Sequence, residues 1–111
     1  MILKPVKWLG DSREGIKDFP HDPRREAGYQ LDRVQAGKDP ADWKPMPSVG
    51  LGVREIRVRD GGAFRVIYVA RFAEAVYVLH AFQKKAHKTL KMNIELSRKR
   101  FRELIQERKQ S

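Results

Sequence analysis

The sequence predicts an α+β fold, a small antiparallel sheet packed with helices in the order β-α-α-β-β-β-α. Three observations predict it. Apolar residues recur at helical spacing in two places, around Ala27–Val34 and around Ile94–Ile105. Between them, Val53–Arg59 sets Ile56 and Val58 against Glu55, Arg57 and Arg59 with a period of two, as in a strand with one wet face. Two further runs, Phe64–Ala70 and Val76–Phe82, are apolar at nearly every position and are bounded by turns, as in strands covered on both sides.

Taken in chain order, Leu3–Leu9 reads as a short strand or extended segment. Asp11 or Ser12 is placed to cap a short helix carrying Ile16 and Phe19, and Pro20 stops it. Asp22-Pro23 opens a second helix with proline at its first position. Ala27, Leu31 and Val34 form that helix's apolar face, and Gly37 ends it. The fifteen residues from Lys38 to Gly52 hold three prolines and two glycines and read as a loop, long enough to suggest a role beyond connection. Asp60-Gly61-Gly62 is a hairpin signal, and a short turn around Ala73-Glu74 joins the last two strands of a meander. After Lys91, Ile94, Phe101, Leu104 and Ile105 form a helical stripe able to dock on the sheet, with Arg98, Lys99, Arg102 and Arg108 on the opposite side.

Composition bounds the function. A chain of 111 residues favours one domain, residues 1–111, around a single core. Without cysteine, neither a disulfide scaffold nor a thiolate metal site is available. The opening MILKPVKWLG lacks the apolar centre of a secretory signal, and the apolar stretches fall short of the ~20 residues that span a bilayer. A cytoplasmic location with no membrane partner is the expectation. The formal charge of +10 suggests a polyanionic partner. It is unevenly spread: residues 84–111 carry ten basic and three acidic side chains, a net of +7. A solvated basic helix is the plain alternative to nucleic-acid binding.

Chemistry-bearing residues are few. Arg57, Arg65, Lys84 and Lys85 lie on or at the ends of the meander strands, where neighbours ~4.8 Å apart allow their charges to converge. Burying an unpaired guanidinium is costly, so Arg65 either faces a groove or pairs internally with an acid such as Glu55. His21, His80 and His87 lack metal-ligand spacing, and no metal or other cofactor is expected. His80 reads as a satisfied core residue. His87, beside Lys84, Lys85 and Lys88, is either an exposed loop histidine or an acid–base group. Trp8, Trp43, Tyr68 and Tyr77 read as packing residues. Gly50-Leu51-Gly52 is too short a signal for a phosphate loop.

The strings LGVREIRVRDGGAFRVIYVA and YVLHAFQKKAHKT, with KWLGDS, FP and QLDRVQAGKDPADWKPM before them, resemble the phage-derived, HigB-like branch of the RelE/HigB/ParE toxin superfamily. The likeness runs over about residues 5 to 105, and its most specific element is EIR, FRVIY and FQKK at this spacing. The resemblance implies a toxin of a type II toxin–antitoxin pair that acts on the ribosome and cuts messenger RNA. In that reaction the substrate's own 2′-hydroxyl attacks the adjacent phosphate, without a metal. Its implied partners are the ribosome, mRNA and a cognate antitoxin, a small helix-turn-helix DNA-binding protein.

Carried onto this chain, the resemblance assigns Arg65 to phosphate stabilisation in the transition state and Arg57 to a phosphate clamp or proton transfer. Lys84 and Lys85 fall at the basic end of the last strand, with His87 as an acid or base. Lys44, Arg59, Lys88, Lys91, Arg98, Lys99 and Arg102 are the implied RNA-contacting cations, joined by Arg100 on the last helix. With an exposed Arg65, the Arg65→Ala variant is expected to lose toxicity and keep its fold. The family's other implied activity is gyrase inhibition without chemistry, and a non-catalytic nucleic-acid-binding module is the third reading.

Overall fold

A computed structural model describes residues 3–110, with the side chains of Lys88 and Thr89 outside the description. The chain is α+β, as expected, with three helices and a five-stranded sheet that is antiparallel except at one edge. The elements are β1 (Val6–Trp8), α1 (Ser12–Lys17), α2 (His21–Gln35), β2 (Trp43–Pro45), β3 (Val53–Arg59), β4 (Ala63–Val69), β5 (Val76–Gln83) and α3 (His87–Gln110). In the sheet they lie in the order β1-β5-β4-β3-β2, with β1 parallel to β5.

Two layers of side chains sandwich the sheet. Ile16 of α1, Phe19 just beyond that helix (which stops at Lys17, short of the expected Pro20), and Ala27, Leu31 and Val34 of α2 pack on Ile56, Val58, Phe64, Val66, Val76 and Val78. On the other face, Phe101 and Leu104 of α3 meet Ile67, Val69, Tyr77, Leu79 and Phe82, with Met46 and Val49 closing the margin. The stripes read from helical spacing therefore mark the buried faces. Close approach brings α1 against β5: a Cβ at Gly15 would stand 2.4 Å from the Ala81 carbonyl oxygen, so only glycine lets the backbones meet there.

Several local expectations change. The segment 38–52 is not all loop: Trp43, Lys44 and Pro45 form β2, paired with Ile56, Glu55 and Arg54. Proline is tolerated because β2 is an edge strand whose outer side needs no ladder donor. Helix α2 begins at His21, so Pro23 sits in its first turn but not at its first position. Its other end agrees with the sequence. Gly37 takes φ +81°, and the amides of Gly37 and Lys38 donate back to the carbonyls of Val34 and Arg33. Helix α3 begins four residues before Lys91. Ser12 does not cap α1; its buried hydroxyl donates to the Val78 carbonyl and ties the helix to the sheet.

A register shift between Ile67 and Tyr68 sets His80 opposite Ile67 and Val78 opposite Tyr68, leaving Leu79 as the extra residue on β5. Leu79 and His80 consequently both serve the α3 side. His80 is the satisfied core residue expected, its Nε2 against Asn93 Oδ1 and its Nδ1 3.3 Å from Arg100. Arg100 continues to the Leu79 carbonyl and to Asp11 (2.6 Å), joining α3, β5 and the start of α1. Among the described residues, no helix is long and apolar enough to cross a membrane.

Candidate nucleic-acid interface

Helix α3 packs chiefly on β5. The half of the same sheet face that belongs to β3 and β2 carries charge instead of a second helix. Alternation along β3 sends Glu55, Arg57 and Arg59 to this side, and the register sets Arg65 of β4 directly opposite Arg57. Lys44 of β2 stands opposite Glu55. These cations therefore converge because three adjacent strands share one pleat.

Glu55 is the hub. The residue is 2% exposed, and its carboxylate lies 3.3 Å from Arg57 Nε, 3.5 Å from Arg65 Nε and 3.9 Å from Lys44 Nζ. Of the alternatives open for Arg65, the structure holds the internal pair. Arg65 is 5% exposed, and its Nη1 also donates to the Phe64 carbonyl. Burial holds its pKa below the ordinary value against the attraction of Glu55, and the charges of Arg57 and Arg59 add to the lowering. The expectation of an exposed Arg65 is thereby corrected. A guanidinium flanked by apolar strands needs a carboxylate, and Glu55 on the neighbouring strand supplies it.

The remaining cations keep access to solvent. The Arg57 side chain is 27% exposed and that of Lys44 46%, and Arg59 at the end of β3 is exposed. Three cations meet one carboxylate and Arg59 adds a fourth charge at the strand end, so this half-face holds surplus positive charge. Arg57 and Arg59 also line an open cleft of about 650 Å³ between α2 and the outer edge of β3, where Arg25 and Tyr29 form the helix wall. Asp42 and Asp60 stand in the same cleft and moderate its charge.

The residues after β5 lie at the rim. Lys84 donates its amide to the Ala63 carbonyl, two residues from Arg65 along β4, and Lys84, Lys85 and His87 are all exposed. Lys91, Lys99 and Arg102 are exposed on α3. Lys88 was named with them, but its side chain lies outside the described residues. Arg98 and Arg100 are bound within the chain: Arg98 to the Ser48 carbonyl and Glu95, Arg100 to Asp11 and the Leu79 carbonyl. Arg108 likewise pairs with Glu74 and lies over the Phe72 ring. Sequence reading weighed Glu55 only as one possible partner for Arg65. Its place opposite Lys44 depends on β2, which proline content concealed.

Among the described residues, no group of three His, Asp or Glu side chains is arranged to hold a metal ion. What the half-face offers is fixed positive charge: guanidinium forks suited to phosphate oxygens, held by a buried carboxylate rather than left to flex. No curated protein matches the chain significantly. The family model described as phage-derived protein Gp49-like matches residues 14–102, a span from α1 through the strands of the charged half-face into α3. On that match over most of its length, the chain belongs to the phage-derived Gp49-like protein family.

Proposed function

We propose that this protein is the toxin of a type II toxin–antitoxin pair, similar to the RelE/HigB superfamily, and that it cuts messenger RNA on the ribosome. The observation that carries the reading is the half-face on which Lys44, Arg57 and Arg65 surround one buried carboxylate, with Lys44 and Arg57 open to solvent. A phosphodiester laid there meets Arg57 and Lys44 first. The 2′-oxygen of the substrate attacks the adjacent phosphorus, the bond to the 5′-oxygen breaks, and a 2′,3′-cyclic phosphate and a free 5′-hydroxyl result. Arg57 and Lys44 offset the charge that builds on the phosphoryl oxygens. Arg65 is a positioning residue in this account, because it reaches the phosphate only through Glu55. Proton transfer falls to the rim, where Lys84, Lys85 and His87 are exposed. Lys91, Lys99 and Arg102 grip ribosomal RNA through salt-sensitive backbone contacts. A helix-turn-helix antitoxin neutralises the protein by covering the charged half-face.

Internal pairing of Arg65 favours a second reading, nucleic-acid binding without cleavage, since the assigned stabilising guanidinium is spent within the protein. Induced expression separates the two. Cleavage stops translation and leaves messages cut inside codons, and Arg57→Ala removes the cuts. Intact messages carrying bound protein support the binding module, and intact messages with DNA damage support gyrase inhibition.

A further inference from the structure

On the face of the sheet that carries α1 and α2, opposite the charged half-face, a second pocket of about 350 Å³ opens where α2 ends and the β3 and β4 strands meet their loops. Four cations line it, Lys4, Lys38, Arg54 and Arg71, against the single carboxylate of Asp39. Three of them are held in place by the fold, and Lys38 is exposed at the rim. Lys4 Nζ donates to the carbonyls of Ala70 (2.5 Å) and Phe72 (2.9 Å), two of an ammonium's three donors. Arg54 stacks 4.0 Å from the Trp43 ring and donates Nη1 to Asp39. Arg71 stacks on Phe72 and donates Nε to the Leu51 carbonyl.

At the back of this ring stands Tyr68, 1% exposed, whose buried hydroxyl proton finds no acceptor among the described residues, while the Arg54 guanidinium lies on its oxygen as a donor. Burial pushes its pKa up, so the oxygen keeps its proton, and the charge of Arg54 lies close enough to act on it. A buried hydroxyl donor surrounded by donors lacks one thing, an acceptor. Leaving such a group unsatisfied is costly. One ligand with several acceptor oxygens answers both the orphan O–H and the surplus positive charge.

We propose that this pocket is a phosphate-binding site, distinct from the interface on the opposite face, in which Tyr68 donates to a phosphate oxygen that Arg54, Arg71 and Lys38 also hold. Arginine forks match phosphate geometry, and the cavity exceeds a bare phosphate, leaving room for the group it esterifies. The phosphate belongs either to a small phosphorylated molecule or to a nucleic-acid strand passing this face.

The test uses the full chain at constant ionic strength, with NMR of the tyrosine ring and arginine side chains. Inorganic phosphate and uridylyl-uridine, a phosphodiester without a terminal phosphate, serve as the two probes. Binding moves the Tyr68, Arg54 and Lys38 signals, and Tyr68→Phe weakens it about tenfold, as expected for losing a hydrogen bond to a charged group. Lys38→Gln, a surface change, weakens it less and carries the test if Tyr68→Phe does not fold. Binding of inorganic phosphate alone identifies a small phosphorylated ligand; binding of the diester identifies a strand. The proposal is overturned if neither probe moves these signals, if wild type and both variants respond alike, or if the shifts fall only on α3, leaving water as the occupant.

Discussion

At the scale of single residues, Glu55 and Arg65 decide how the charged half-face works. Both are almost fully buried, so each needs the other. Removing one partner from such a pair costs about 3–5 kcal/mol, and the low end is expected here because Arg57 and Lys44 remain beside Glu55. Arg65→Ala should therefore lower unfolding stability by about 3 kcal/mol in a denaturant titration, in contrast to the intact fold the sequence alone led one to expect. Arg57→Ala should change stability by under about 1 kcal/mol, since its side chain is partly solvated. It should instead weaken RNA binding and reduce the logarithmic salt slope by about one phosphate contact. Loss of binding from Arg65→Ala without loss of stability would reverse these roles. Residue identity was legible in the sequence here, but exposure was not. An arginine in an apolar strand announces a special environment, and only the register of β3 on β4 says that the environment is Glu55.

At the scale of elements, local periodicity did most of the work. Ala27, Leu31 and Val34, and later Phe101 and Leu104, are buried as their spacing requires, because one helix face is a property of a short stretch of chain. Strand pairing is a property of distant segments, and there the reading stopped. Nothing near Trp43 shows that it will lie against Ile56, and nothing near Val6 shows a parallel partner in Val76. The same holds for the bond between Arg100 and Asp11, which closes a contact across most of the chain.

Two predictions belong to element packing. Gly15→Ala drives a methyl group into the Ala81 carbonyl, so α1 must shift, at a cost of about 1–3 kcal/mol measurable by thermal unfolding. The seating of α3 on β5 is expected to depend on pH. Burial holds His80 below its ordinary pKa of 6.5, opposed by the Asn93 bond, reinforced by the Arg100 charge and again opposed by Asp11. In the unfolded chain it protonates at the ordinary value, so below about pH 6.5 the unfolded state binds a proton that the native state resists. Stability is then complete above that pH and falls as the solution is acidified toward the lower native pKa. His80→Gln should flatten the decline below the ordinary histidine pKa of about 6.5. An equal decline in the variant would assign it to other groups.

At the scale of the whole molecule, charge and architecture divide the two sheet faces. One carries α1 and α2 with the Tyr68 pocket at its end; the other is shared between α3 and the cations around Glu55. Net charge was legible from composition, as was its concentration in the last quarter of the chain. Its deployment was not. Arg98, Arg100 and Arg108 are bound to acids within the chain, so the surface charge of α3 rests more on Lys91, Lys99 and Arg102. Part of the basic excess thus fastens α3 to the body, and the rest stands in solvent.

The most direct test of that division is chemical analysis of a defined message on purified ribosomes after exposure to the full-length protein, with a chelator present. A cut within the A-site codon that leaves a 2′,3′-cyclic phosphate, and that is lost in Arg57→Ala, is the result this account predicts. A message that stays whole under saturating protein, or a cut that the chelator abolishes, would contradict it.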